Sequence, residues 1–326
     1  MARNRNIYDV VIIGQGAAAL GAALYSARYR MNTLVVGDEF GGETATGSII
    51  ENYPGYSHID GFDLMLAMKK QVEDLDVEIV ADEVNQIHNE GNCFISTAHE
   101  GRYRSSAVIL AVGRERRMLG LPNESDLLGK GISYCSTCDA PLYRGQTVAV
   151  AGGGDAAVKG AVLLDKYASR VYLVHRKDEL TRPEPVNLDM LARTENVIRL
   201  AGTNVTGLIG DEKLERLALD RPHEGSPEID VDGLFIEIGA DPRSRLATPL
   251  GVMTNSRGEI MVSKMMETTV SGVFAAGDVT DATGELKQTI TSAAQGVIAA
   301  TSAYRYVSEF GNMCQMHAAG FELAAV

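Results

Sequence analysis

The chain has 326 residues, 45% hydrophobic and 22% charged, with Lys+Arg 30 against Asp+Glu 43 and a net charge of −13. That length suits two domains, each with a core of its own. The acidic balance speaks against nucleic acid as a partner, since phosphates demand clustered Lys and Arg. An acidic surface serves solubility, with steering of a basic protein partner as the alternative. The N-terminus, MARNRNIYDVVIIG, opens a strand pattern rather than a signal peptide. No apolar stretch is long enough to span a bilayer, so a membrane location is not expected.

In chain order, Asp9–Ile13 is a short β-branched run. Gly14-Gln15-Gly16-Ala17-Ala18-Ala19 follows, then a helical stretch to about Tyr29 and a second strand at Thr33–Val36. This is a βαβ unit. Gly14 permits the tight turn and Gly16 lets the backbone approach a pyrophosphate. Ala19 lets helix and strand pack closely, and the helix N-terminus attracts phosphates. A GxGxxA turn carries weight because it sits between a strand and a helix. The ribose-binding acid usual at the end of the second strand is missing. Gly37 stands there, and Asp38 and Glu39 follow as candidates for that role.

Cys93 lies in a strand-like run and reads as a buried apolar residue. Cys135-Ser136-Thr137-Cys138-Asp139 is different: two thiols at this spacing close a small disulfide ring and store two electrons. Asp139 is placed to move protons as thiolates form and are consumed. Half a zinc site is the alternative. Zinc needs two further ligands, and no second CxxC or HxxxH exists, so no metal is expected. Four cysteines of this spacing do not read as a disulfide framework. A catalytic CxxC suits the cytoplasm, the expected compartment.

The first pattern then recurs about 138 residues on. Val148–Ala151 is a strand, Gly152-Gly153-Gly154-Asp155-Ala156-Ala157 a turn, and a helix runs to about Tyr167 before a strand at Val171–Val174. His175-Arg176-Lys177-Asp178-Glu179-Leu180-Thr181-Arg182 follows. Bases rather than an acid at this strand end suit a 2′-phosphate, hence NADPH over NADH. A solvated basic loop is the alternative. Gly272–Val279 is a buried strand ending in Gly277-Asp278, and a helix rich in small residues spans about Thr289–Tyr306. The tail from Glu309 to Val326 has no clear period; it either frays or packs against the rest. The expected fold is α/β, with two Rossmann-like dinucleotide-binding domains, the second inserted into the first.

GxGxxA, Cys-x-x-Cys-Asp, GGGDAA and FAAGDV in this order resemble the low-molecular-weight thioredoxin reductases over roughly residues 8–308. Glu51-Asn52-Tyr53-Pro54-Gly55 is similar to that family's flavin-contacting loop, and Ala111-Val112-Gly113 to its crossover between domains. The resemblance implies an FAD-binding domain at 1–117 and 246–326, with an NAD(P)H-binding domain carrying the cysteines at 118–245 between them. FAD would lie on Gly14, Gly16 and Ala19, near Gly42, Glu43, Asn52, Gly113 and Gly277. Asp278 would bind the ribityl chain. The helix starting near Lys287, Gln288 and Thr289 would face the pyrimidine edge, where a helix N-terminus stabilises anionic reduced flavin. NADPH would lie on Gly152, Gly154, Asp155, Ala156 and Ala157, with His175, Arg176, Lys177 and Arg182 beyond.

Cys138 resembles the flavin-side thiol, Cys135 the interchange thiol that attacks the substrate disulfide, and Asp139 the acid–base residue. A homodimer, a large domain rotation, and thioredoxin or a thioredoxin-like or glutaredoxin-like protein as substrate are implied. Some positions depart from the pattern. Glu43 stands where Gln is usual, Lys287 where Arg is, and Val158-Lys159-Gly160 where acids are common. Lys177 replaces a second Arg, and a third aligns with Thr181, with Arg182 one place later. Lys keeps the charge but loses the planar fork. The thinner basic cluster leaves open NADH or another donor, such as a ferredoxin or a deazaflavin. It also leaves open a dithiol oxidase that passes electrons to oxygen. Outside the enzymes stands a redox-sensing flavoprotein, told apart by steady-state disulfide reduction.

Overall fold

The computed structural model describes residues 7–46 and 49–324. The chain divides into two compact units: one is the chain up to Glu115 together with everything from Pro242, the other Arg116–Asp241. Two Rossmann-like domains with the second inserted into the first are thus what the chain forms.

The first stretch holds β1 (Ile7–Ile13), α1 (Ala17–Arg28), β2 (Thr33–Val36), α2 (Gly42–Ala45), β3 (Ile49–Ile50), β4 (Ile59–Asp60) and α3 (Gly61–Glu73). Then come β5 (Glu78–Val80), β6 (Val84–Glu90), β7 (Cys93–Ala98), β8 (Arg102–Leu110) and β9 (Arg114–Arg116). The inserted stretch holds β10 (Ile132–Ser133), α4 (Ser136–Asp139), β11 (Thr147–Ala151), α5 (Asp155–Asp165), β12 (Arg170–His175), α6 (Pro185–Leu191) and β13 (Val197–Ala201). It continues with β14 (Val205–Ile209), β15 (Arg216–His223), β16 (Ser226–Asp230), β17 (Gly233–Ile236) and β18 (Ala240–Pro242), before β19 (Val273–Ala275) and α7 (Thr289–Ala324) close the chain.

In the first unit the sheet runs β5-β2-β1-β8-β7-β6, with β19 also on β8. Its parallel strands β1, β2 and β19 and the last four residues of β8, Ala107–Leu110, are near-continuous apolar runs because helices and loops cover both faces. Small residues set the helix packing. A Cβ on Gly21 would lie 2.5 Å from the Ala293 carbonyl oxygen, and one on Gly296 2.0 Å from that of Ala18. Helices α1 and α7 therefore touch backbone to backbone, and both start at the carboxyl end of the sheet.

In the second unit the order is β10-β17-β11-β12-β13, all parallel, beside an antiparallel β14-β15-β16. The order reverses between β11 and β17, which marks the crevice where an open α/β sheet binds ligands. Among the described residues no helix is long and apolar enough to cross a membrane.

Two sequence expectations need correction at the C-terminus. The last helix does not end near Tyr306: α7 runs unbroken to Ala324. Phe274 meets Tyr306 at 6.2 Å, Tyr306 meets Phe310 at 5.2 Å, and Ser106 donates to the Gly311 carbonyl at 3.0 Å. Nor is Cys93 merely an apolar filler. It is buried, as expected, but bonded to Cys314 across 221 residues of sequence. Sequence spacing carries no trace of this pair, because only the docking of α7 on β7 and β8 brings it together.

Candidate active site

At the first turn, Gly14 has φ +114°, and a Cβ there would sit 2.3 Å from the Ala111 carbonyl oxygen. A Cβ at position 37 would lie 2.9 Å from the Gly14 carbonyl carbon. The missing acid at Gly37 is therefore a steric requirement. Gln15, which sequence reasoning passed over, is buried and donates its amide to the Gly37 and Val80 carbonyls, tying the turn to two strand ends. Gly16 caps α1 with no side-chain hydrogen bond and no acid in the first turn, and a Cβ on it would meet nothing within 4 Å. Ala19 is fully buried behind it. The positive end of α1 thus faces open space, which fits a pyrophosphate.

Gly42 approaches this turn, its Cβ position 3.7 Å from the Gly16 Cα. Thr44 and Thr289 share a hydroxyl hydrogen bond at 3.0 Å, and Asn52 donates to Gln288 at 3.1 Å, so the expected flavin loop and the start of α7 meet. Gly277 (φ +85°) gives its N–H to Gln295. Asp278 accepts from Ser292 at 2.7 Å. Burial pushes the Asp278 carboxyl above the usual range against the pull of Ser292, Lys287 and Arg114, and the charge of Glu43 adds to the rise.

Other expected flavin residues have protein partners. Lys287 lies 3.1 Å from Glu259 and donates to the Thr280 carbonyl. Glu39 is held by both terminal nitrogens of Arg243, at 2.9 and 3.1 Å, while Asp38 is exposed. Gly113 has φ +64° and accepts from the Arg243 amide at 3.1 Å.

The second turn repeats the first. Gly152 has φ +147°, and a Cβ would fall 2.2 Å from the Glu237 carbonyl oxygen. Gly154 caps α5 without a side-chain hydrogen bond and faces space clear to 4 Å. Ala157 is fully buried and Ala156 exposed. Asp155 turns away from its own helix: it accepts from the Glu184 amide and from the Asn187 side chain, both at 2.8 Å. His175 is buried at the end of β12, and burial lowers its imidazole below the ordinary value. Arg176, Lys177 and Arg182 are exposed beyond it, and Asp178 faces Arg221 at 3.8 Å. The basic loop and the open turn fit a phosphorylated dinucleotide.

Beside this turn, Cys135 and Cys138 are joined as a cystine with Cα atoms 5.3 Å apart. Cys135 is the N-cap of α4, and its sulfur accepts the Cys138 N–H at 3.1 Å. Its own amide donates to Ser133 Oγ at 3.0 Å. Cys138 is exposed and Cys135 half-buried. Asp139 ends α4; burial, with the charges of Asp139 and Asp232, raises the Tyr143 phenol just beyond. Ser136 donates to Glu237 at 3.0 Å. Among the described residues no group of three His, Cys, Asp or Glu side chains is placed to hold a metal ion.

Two open glycine turns at two helix starts, with a cystine beside the second, define an oxidoreductase that handles two nucleotides and a disulfide. The profile of the pyridine nucleotide-disulphide oxidoreductase family matches residues 8–296. A thioredoxin reductase of Mycolicibacterium smegmatis is 36% identical over 313 residues, covering 95% of this chain and 99% of that one. A thioredoxin reductase of Listeria innocua is 35% identical over 322 residues, 98% of this chain and 100% of the relative. The crystal structure of Lactococcus lactis thioredoxin reductase superposes with a TM-score of 0.87 at 33% identity, covering 93% of this chain and 99% of that one. The chain belongs to the pyridine nucleotide-disulphide oxidoreductases and, within them, to the low-molecular-weight thioredoxin reductases. FAD and NADPH are the cofactors of that family.

Proposed function

We propose that the chain reduces the disulfide of thioredoxin, or of a thioredoxin-like protein, with electrons from NADPH. The observation that carries this reading is the cystine Cys135–Cys138 at the carboxyl edge of a nucleotide-binding sheet. Gly14, Gly16 and Asp278 would hold FAD, and Gly152, Gly154, Arg176, Lys177 and Arg182 would hold NADPH. Bound together, the two cofactors supply the electron pair that opens the cystine.

The protein's own residues account for the rest. Cys135 is the interchange thiol: the Cys138 N–H aimed at its sulfur favours a thiolate there. That thiolate attacks the partner's disulfide, forming a mixed disulfide and expelling one partner thiolate, which takes a proton. Cys138 then attacks the Cys135 sulfur. The cystine re-forms and the second partner thiolate leaves, and Asp139 handles the protons. Leu142, 73% exposed and four residues past Cys138, offers an apolar contact to a protein substrate. The reading extends to a homodimer, the assembly that the resemblance implies, in the cytoplasm, the compartment that suits a catalytic thiol pair.

In the test, the protein is assayed with NADPH and oxidised thioredoxin. Wild type turns over, and Cys135→Ser and Cys138→Ser do not. Reduced Cys138→Ser traps thioredoxin as a mixed disulfide, while Cys135→Ser does not. Full turnover by Cys135→Ser would overturn the reading.

A further inference from the structure

Ser136, the first residue inside the cystine turn, is buried and donates its hydroxyl to Oε1 of Glu237 at 3.0 Å. Glu237 directly follows β17, on one wall of the crevice. Its amide donates to the Ala151 carbonyl at 2.8 Å, and its own carbonyl lies against Gly152. The carboxylate is therefore delivered by a strand end that is pinned to the nucleotide turn, and a strand end is a more precise mount than a loop. On the other side α5 makes room: a Cβ on Gly160 would fall 2.6 Å from Ser136 Oγ and 3.1 Å from Ser136 Cβ. A serine seated between a glycine and an acid joins three distant stretches of sequence at the reactive turn.

We infer that Glu237 is a positioning residue of the dithiol step, holding the Cys135–Cys138 turn through Ser136 and disfavouring thiolate there by its negative charge. The inference rests on the reading of this pair as the reactive one. A nearby like charge raises a thiol's pKa. A dithiol whose thiolate form is disfavoured is harder to reduce and hence a better reductant, the converse of a pair made oxidising by a stabilised reduced form.

Other charges lie around the turn, among them Glu124, which accepts from the hydroxyl of Tyr134 beside Cys135. Asp139 belongs to α4, and Tyr143 follows it with Asp232 nearby. Arg144 is committed to the Tyr167 ring, with its guanidinium carbon 5.2 Å from the centroid. On α5, Asp155 is committed to the start of α6, and Lys159 is exposed beside Gly160.

Glu237→Gln keeps an acceptor oxygen for Ser136 and removes the charge. The holoenzyme is reduced with dithiothreitol and desalted. Alkylation of Cys135 and Cys138 by iodoacetamide is then followed against pH, with the sites mapped by mass spectrometry. The cystine–dithiol equilibrium is measured separately in glutathione buffers. In Glu237→Gln the alkylation midpoint should fall by about one unit. The equilibrium should shift about tenfold toward the dithiol. Ser136→Ala leaves the charge but frees the carboxylate from the turn, so both readouts should move the same way by roughly a third as much. Wild-type behaviour in both variants overturns the inference, and if Glu237→Gln does not fold, Ser136→Ala alone decides. A wild-type pair that does not exchange with glutathione removes the underlying reading instead.

Discussion

Replacing Cys314 with Ser should cost the first unit far more than one buried thiol. Cys93 and Cys314 are both fully buried, and their bond closes 221 residues of chain. The chain-entropy relation gives about 5 kcal/mol at 25 °C for a loop of that length. The figure survives the presence of the inserted unit. If Arg116–Asp241 stays folded when the first unit opens, the flexible span shrinks to roughly 95 residues, but the dependence is logarithmic and the cost stays near 5 kcal/mol. For a unit of about 200 residues that is a fall in Tm of about 10 °C or more. The assay is scanning calorimetry without reductant on wild type, Cys93→Ser, Cys314→Ser and the double variant. Each single change should show the full drop, and the double no further drop. Dithiothreitol should bring wild type down to the variants. Thiol titration in denaturant should find none in wild type and one in each single variant. Single variants that melt within about 2 °C of wild type, with no effect of dithiothreitol, would refute the staple.

At the first turn, Gly16→Val should fold with nearly wild-type stability, because its backbone is extended (φ −80°, ψ −176°) and nothing lies within 4 Å, yet lose FAD. Retained flavin would show that the open space is not the pyrophosphate site. Arg176→Ala with Lys177→Ala should raise KM for NADPH by about tenfold or more and that for NADH little. Equal effects would mean these bases do not meet a 2′-phosphate. Burial raises the folded carboxyl of Asp278, so the folded state binds this proton more tightly than the unfolded state does. Its contribution to stability is complete below the unfolded value near 4 and is lost as pH rises through the folded value. Flavin-free Asp278→Asn should therefore melt higher than flavin-free wild type at pH 7, with the gap closing toward pH 4, while its FAD affinity falls. A variant that melts lower at pH 7 would contradict the sign.

The two nucleotide units were legible because everything that defines them is local. A strand, a glycine turn and a helix follow one another within thirty residues or so, and Thr33–Val36 forms just where the β-branched run lies. Gly37 was legible only as an absence, since its reason is a backbone approach to Gly14 that depends on the pairing of β1 with β2. Glu237 belongs to none of the sequence motifs and directly follows the strand Gly233–Ile236. It gains a role only when β17 lands beside β11. The Cys93–Cys314 bond was out of reach for the same reason, at the longer span. Lys287 and Glu39 show the opposite limit. Their positions were legible, but not their partners Glu259 and Arg243, which come from elsewhere in the first unit.

The interleaving of the units sets an order of birth. Arg116–Asp241 is one unbroken stretch and has all its strands once residue 241 clears the ribosome. The first unit begins earlier but finishes last, because β19 and the backbone-close partner of α1 lie near the far end of the message. At about 5–20 residues per second, the alanine face of α1 and one side of β8 wait on the order of ten seconds or more for that partner. Ribosomal stalling or premature termination before α7 would therefore release a chain with a finished dithiol unit and an unfinished flavin cradle, whose uncovered apolar face marks it for chaperones and proteases.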